Sequence, residues 1–178
     1  LTTVDEQGNS HIAPMGAIVV ANWRQLTLRP FTSSKTFAHL TRTHSGVFHV
    51  TDDVEVISQA AVGALPTPID LCQQRSESGP VLLSACRWYG ISVTSCEVSQ
   101  ERATMPCEVV DHGFLREFAG FCRAKHAVVE AAILATRVHL LSSSELQTAM
   151  QQLAPLVEKT GGPSEKRAFE FLQKYVAR

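Results

Sequence analysis

The sequence has no Cys-x-x-Cys pair, no run of basic residues and no apolar stretch long enough to cross a bilayer. Each absence removes a class of function. The cysteines, Cys72, Cys86, Cys96, Cys107 and Cys122, are odd in number and widely spaced, so neither a zinc ribbon nor a thioredoxin-type site is indicated. They read as reduced, mostly buried thiols of a cytoplasmic protein. Lys plus Arg number 16 against 17 Asp plus Glu, for a net charge of -1. A nucleic-acid-binding face needs positive charge to displace counterions, so no nucleic-acid partner is expected. The longest apolar stretch, Ala127 to Leu141, contains Glu130, Arg137 and His139. It is shorter than the roughly 20 residues a spanning helix requires, so no membrane role is expected. No secretory leader is visible. The chain opens at Leu1 rather than Met, already in strand-like sequence, so further residues are expected to precede it. Internal repeats and low-complexity segments are lacking too.

What remains is an ordinary globular composition. The 178 residues are 44% apolar and 19% charged. A chain of this size buries roughly two thirds of its unfolded surface and needs no metal or disulfide staple. It fits one domain, or one domain with a helical extension.

The first two thirds read mainly as strands. Leu1 to Val4 is β-prone, and Asp5-Glu6-Gln7-Gly8-Asn9 carries turn chemistry. Ser10 to Met15 and Ala17 to Ala21 resume the strand around Pro14 and Gly16, residues that mark an edge, a bulge or a close backbone approach. Leu26 to Arg29 and Gly46 to Val50 are further strands. Ser34 to Thr43 reads as a helix and Val54 to Val62 as a shorter one. Gly63 to Gly79, with Pro66, Pro68 and its Gln and Ser residues, is a surface connector. Tyr89 to Gln100 alternates, Glu101-Arg102 turns, and Ala103 to Val110 returns as a hairpin. After Gly120 the character changes. Arg123 to Leu141 is an Ala-rich helix. Ser142-Ser143-Ser144-Glu145 offers N-cap chemistry for a helix over Glu145 to Lys159, and Thr160-Gly161-Gly162-Pro163 separates it from an amphipathic helix over Ser164 to Val176. The expectation is an α+β fold: a β-rich body over residues 1–120 and a helical extension over 121–178.

The most informative segment is Leu28-Arg29-Pro30-Phe31-Thr32-Ser33-Ser34-Lys35-Thr36. A strand ends at Arg29, and hydroxyl residues lead into a helix. The start of a helix presents unpaired N–H groups and the positive end of its dipole, which attract phosphate. Arg29 can add a two-pronged contact, and Thr32, Ser33, Ser34 and Thr36 can add hydroxyl donors. Plain N-capping by Ser33 or Ser34, with Arg29 and Lys35 solvated, accounts for the same residues without a ligand.

Four blocks tip that balance: His11 to Gly16, Leu28 to Thr36, Gly46 to Asp53, and Arg123 to Arg137. Together, and in this order, they resemble the DUF447 proteins of archaea and some bacteria, within the FMN-binding split-barrel group that includes flavin reductases and pyridoxamine-phosphate oxidases. The resemblance covers nearly the whole chain. It implies a mainly antiparallel split β-barrel with C-terminal α-helices that forms a homodimer, with FMN held between subunits. The FMN phosphate would meet Arg29, Thr32, Ser33, Ser34 and Thr36. Ala13, Pro14, Met15 and Gly16 would lie beside the isoalloxazine ring, with His49 and Thr51 ending a neighbouring strand near it. His11 and Cys122 stand where the family pattern has Asn. The family's implied activity is a flavin-dependent oxidoreductase of unknown substrate. Its association with tetrahydromethanopterin-linked one-carbon metabolism keeps a second reading open, a non-redox binder of a phosphorylated or pterin-like ligand.

In the long helix, Arg123, His126, Glu130, Ile133 and Arg137 share one face by their spacing of three and four. Arg123, Lys125, His126 and Glu130 are candidates for an anionic substrate, with Glu130 placed to raise the pKa of His126 and orient it. An ion-paired surface face is the plainer reading. Ala124, Ala127, Ala131 and Ala135 form a second stripe suited to close packing. Arg87, Trp88 and Tyr89 are aromatic-pocket candidates or, more simply, core. Asp52-Asp53 fits helix capping better than a metal site. Lys159-Thr160-Gly161 ends a helix and lacks a Ser-x-x-Lys companion, so it is not a penicillin-binding motif.

Overall fold

The computed structural model describes residues 1–20 and 22–177. Contacts divide the chain into two units, Leu1–Thr51 with Asp70–Glu117, and Asp52–Ile69 with Phe118–Arg178.

The first unit holds every strand. In chain order they are β1 (Thr2–Val4), β2 (Ser10–Ile12), β3 (Ala17–Val20), β4 (Gln25–Leu28), β5 (Ser45–Val50), β6 (Leu71–Cys72), β7 (Val81–Leu82), β8 (Arg87–Val93), β9 (Glu97–Ser99) and β10 (Arg102–Phe114), with helix α1 (Lys35–Thr43) between β4 and β5. The strand expected over Ala17 to Ala21 is seen to Val20; Ala21 lies outside the described residues. Local chemistry sets the turns. The Asp5 carboxylate accepts from the N–H groups of Gln7 at 2.9 Å and Asn9 at 2.7 Å, closing the β1–β2 hairpin.

The main sheet is antiparallel, in the order β2-β1-β5-β8-β10-β4-β3, with β9 also on β10. Its two edges, β2 and β3, are consecutive in sequence. Five Cα steps separate Ile12 from Ala17 and reach at most about 18 Å. In a flat sheet, six strand spacings would hold those edges about 29 Å apart. The sheet must therefore curl until its edges approach, giving an open barrel with a seam crossed by Ala13-Pro14-Met15-Gly16. Leu26, Leu28, Leu40, Phe48, Tyr89, Ile91 and Met105 fill its interior. Val47, Val81 and Trp88 form a separate cluster.

Two strands differ from the sequence reading. The strand expected over Tyr89 to Gln100 is two strands, β8 and β9, interrupted at Thr94 to Cys96. β10 runs on to Phe114 because it has three strand partners, β4, β8 and β9. A bulge between Val109 and Asp111 shifts its register against β8. Gly90 faces that bulge, where the Asp111 carboxylate and the Ser78 hydroxyl occupy the space a Cβ would need.

The second unit holds α2 (Val54–Ala61), α3 (Arg123–Ala135), α4 (Ser143–Thr160) and α5 (Pro163–Val176). The Ala stripe of α3 is fully buried, at Ala124, Ala127, Ala131 and Ala135, in a core with Val54, Met150, Val157, Phe169 and Leu172. Asp53 caps α2 by accepting from Val56 N–H at 3.2 Å. Ser142 and Glu145 form the capping box of α4. α3 stops at Ala135 instead of reaching Leu141. Beyond it, Val138 and Leu140 are 38% and 71% exposed, so no packing rewards another turn.

Candidate functional site

Within the barrel unit, the segment between β4 and α1 is held by its own backbone and by the start of β10. Thr32 donates to the Glu101 carbonyl through its N–H at 2.9 Å and its hydroxyl at 3.2 Å. The Ser34 hydroxyl donates to the Phe31 carbonyl at 2.7 Å and accepts from Phe37 N–H at 3.1 Å. Ser34 is thus the N-cap of α1. The N–H groups of Lys35 and Thr36 lie in the first turn, where no helical acceptor exists. That turn contains no acidic residue.

The hydroxyl residues do not all face one place. Ser33 is exposed, Thr32 is half-buried, and Thr36 is buried on the same side of α1 as Leu40, four residues on. Thr36 can offer an anion its backbone N–H but not a free hydroxyl. Arg29 and Lys35 are exposed.

Register places the charges. Leu28 pairs with Met105 and both are buried. Paired residues of an antiparallel ladder share a face, so one step on Arg29 shares the outer face with Thr104, and Phe31, bridged to Arg102, shares it again. The Arg102 guanidinium lies over the Phe31 ring, 3.8 Å from its centroid, and Nη1 donates to the Arg29 carbonyl at 2.8 Å. Among the described residues neither Arg29 nor Arg102 has an ion-pair partner. The sequence reading places Arg102 in a turn, whereas it opens β10.

The seam link meets this segment at one end. Ala17 pairs with Leu28, so Gly16 falls one step further, level with Arg29. At the other end the Ala13 N–H donates to the Leu1 carbonyl at 3.0 Å, and the next residue of that strand, Thr2, pairs with Val47 of β5. Pro14 and Gly16 are exposed, and nothing lies within 4 Å of where a Gly16 Cβ would stand. Met15 packs on the barrel core.

His49 is otherwise engaged. It is buried, and its Nε2 accepts from the Leu82 N–H at 3.0 Å. Burial holds its imidazole at a pKa of about 3. Through that bond it braces β5 against β7, while its Nδ1 is buried without a hydrogen-bond partner among the described residues; Thr51, just past β5, is half-buried. His11 turns its ring edge-on to His39 at 5.4 Å. His39 Nδ1 in turn meets the Thr3 hydroxyl at 2.9 Å. Trp88 and Tyr89 are core residues, Tyr89 stacked on Trp23 at 4.4 Å.

In the helical unit, the four candidates on α3 separate into two groups. Arg123, His126 and Glu130 are exposed, with the His126 ring edge-on to Phe121 at 5.9 Å. Lys125 is committed to the unit itself. Its ammonium pairs with Glu165 at 2.9 Å and donates to the Asp52 carbonyl at 2.7 Å. Asp52 is engaged as well, its Oδ2 accepting from Ala119 N–H at 2.8 Å. Cys122 precedes α3 as an N-cap without a side-chain cap bond. Among the described residues no three His, Cys, Asp or Glu side chains gather as a metal site, and no helix is long and apolar enough to cross a membrane. Of the cysteines only Cys86 and Cys107 are buried, fewer than the sequence reading expected, and burial pushes the Cys107 thiol up to about 12.

The model of the DUF447 N-terminal domain, a protein of unknown function, matches residues 1–116, and that of the DUF447 C-terminal domain matches residues 122–174. The chain belongs to the DUF447 family. Its fold is shared with an FMN-bound DUF447 protein from Methanosarcina mazei, at 21% identity and a TM-score of 0.82, over 98% of this chain and 91% of that one. The flavin reductase of styrene monooxygenase from Pseudomonas putida matches at 15% identity and a TM-score of 0.52, over 64% and 76% of the two chains. Component B of nitrilotriacetate monooxygenase from Mycobacterium thermoresistibile matches at 14% and 0.55, over 67% and 69%. No curated protein matches the chain. The fold is therefore α+β with the split-barrel architecture of flavin reductases, as the resemblance implied.

Proposed function

We propose that this DUF447 chain is an FMN-binding flavoprotein, with the FMN phosphate held by Arg29, Ser33, the Thr32 loop and the first-turn N–H groups of α1. The observation that carries the reading is the chemistry of that donor set. An exposed arginine without an ion-pair partner follows β4, and the segment after it leads into a helix with no acid in its first turn. A phosphate monoester is the complement of such a set. The FMN-bound relative of the same fold supports it.

The isoalloxazine ring would run along the seam from Gly16 toward Ala13, where exposed Pro14 and Gly16 let a planar ligand approach the backbone. The molecule is a homodimer in this reading. β3 is a sheet edge, and its Ile18, Val19 and Val20 are 59%, 39% and 48% exposed. Consecutive apolar residues on both faces of an edge strand call for cover, and a second copy supplies it. The five cysteines, none of them in a disulfide, suit the reducing cytoplasm.

Bound flavin supplies electron transfer, so the oxidoreductase reading requires no protein nucleophile. This chain's residues would fix the phosphate and orient the ring. Arg123, His126 and Glu130 form the exposed face offered to an anionic substrate, while Lys125 is left out of that set by its pairing with Glu165.

The visible spectrum of the purified protein and a titration with FMN test the reading. A flavin band, or saturable quenching of FMN fluorescence, is expected. The absence of both a band and binding would overturn it and direct attention to a phosphorylated or pterin-like ligand.

A further inference from the structure

Resting on that phosphate reading, we infer that Arg102 is the second cation of the phosphate site, presented by the β9–β10 hairpin and pre-oriented on Phe31.

The argument begins with what fixes the side chain. Arg102 opens β10, pairs with Ser99 of β9 and bridges Phe31. Its guanidinium plane is stacked 3.8 Å from the Phe31 centroid, and one edge is bonded to the Arg29 carbonyl. A long, exposed arginine ordinarily samples many rotamers. Here stacking and a hydrogen bond remove much of that freedom before any ligand arrives, and pre-organisation of this kind favours binding. Phe31 is 46% exposed, a large apolar ring kept at the surface, and the stacked cation gives it a partner.

Charge supplies the second half. Arg29 and Arg102 are diagonal neighbours on the outer face of the β4–β10 ladder. Such neighbours lie about 7–8 Å apart along the backbone. Two like charges on neighbouring positions of one face repel, and among the described residues no carboxylate pairs with either. The neighbouring donors are the exposed Ser33 hydroxyl and the α1 first turn. An anion with several oxygens, able to accept from both arginines at once, resolves the repulsion. A phosphate dianion does so; a neutral ring does not.

The test is the affinity for FMN and for riboflavin, which lacks the phosphate, in wild type, Arg102→Gln and Arg102→Lys. Wild type should prefer FMN. Arg102→Gln should lose about 10–100-fold of that preference, the worth of a charge-assisted hydrogen bond, with riboflavin affinity unchanged. Arg102→Lys should retain part of it, because charge survives while the planar stack is lost. Phe31→Leu, which keeps both arginines, should fall between wild type and Arg102→Gln. Thermal unfolding of each variant separates these effects from misfolding. A wild type that prefers FMN and an Arg102→Gln variant that prefers it equally would overturn the role of Arg102 and leave the phosphate reading standing. A wild type that binds both flavins equally would overturn the phosphate reading itself.

Discussion

The Thr160 hydroxyl accepts from the Ala124 N–H at 3.1 Å, doing at the start of α3 what an N-cap side chain does elsewhere. The N-cap position belongs to Cys122, whose side chain caps nothing and instead lies 4.0 Å from the Thr160 carbonyl. Asparagine is among the best N-cap residues and cysteine is not. Cys122→Asn should therefore stabilise the protein by about 0.5–1 kcal/mol. Thr160→Val, which leaves Ala124 N–H without its acceptor, should destabilise it by about 1–2 kcal/mol. Urea denaturation of the two variants checks both signs.

Acid should weaken the fold through His49. Its folded pKa is about 3 against an ordinary 6.5. Between those values the unfolded chain takes up a proton that the folded chain refuses. The contribution to stability is complete above the ordinary value and is lost as pH falls toward the folded one. The slope approaches about 1.4 kcal/mol per pH unit for one proton. His49→Gln keeps an acceptor for the Leu82 N–H and has no proton to gain. Its stability should fall less steeply over that window, and an unchanged slope would show that His49 is not the group responsible.

Lys125 separates structure from ligand binding. Its ammonium is bound by Glu165 and by the Asp52 carbonyl, and the pair is largely sheltered, with side-chain exposures of 21% and 10%. Lys125→Ala should cost about 1–3 kcal/mol, between the values of surface and buried pairs. Flavin affinity should be unchanged. A variant of wild-type stability with altered substrate kinetics would instead return Lys125 to the substrate face with Arg123, His126 and Glu130.

The edge strand tests assembly. Ile18 and Val20 are both strongly exposed on β3. Ile18→Lys and Val20→Lys should shift the protein from dimer to monomer in light scattering after gel filtration, with little change in the far-ultraviolet spectrum. If the interface shelters the flavin, FMN affinity should fall with it. A dimer that survives both substitutions would place the interface elsewhere.

Much of the fold is legible in local chemistry. Asp5 to Asn9, Ser34, Asp53 and Ser142 with Glu145 mark turns and caps that form where the residues call for them. The end of the strand beside Arg29 and the start of a helix at Ser34 are legible in the same way. What escapes is set by distance along the chain. The approach of β2 and β3 follows only from the full strand order, and the Lys125–Glu165 pair joins positions forty residues apart. Thr36 is an intermediate case. Its spacing of four from Leu40 puts both on the buried side of α1, a pattern the run of hydroxyl residues obscured. The end of α3 was lost for a similar reason, since Val138 and Leu140 continue the apolar composition but find nothing to pack on.

The most direct measurement is the phosphorus NMR spectrum of FMN mixed with the protein. The account predicts that the phosphate resonance shifts and broadens on binding, and that Arg29→Ala returns it toward the position of free FMN. A resonance that stays unmoved while flavin fluorescence is quenched would mean the ring binds and the phosphate does not, contradicting the placement of the phosphate at Arg29 and α1.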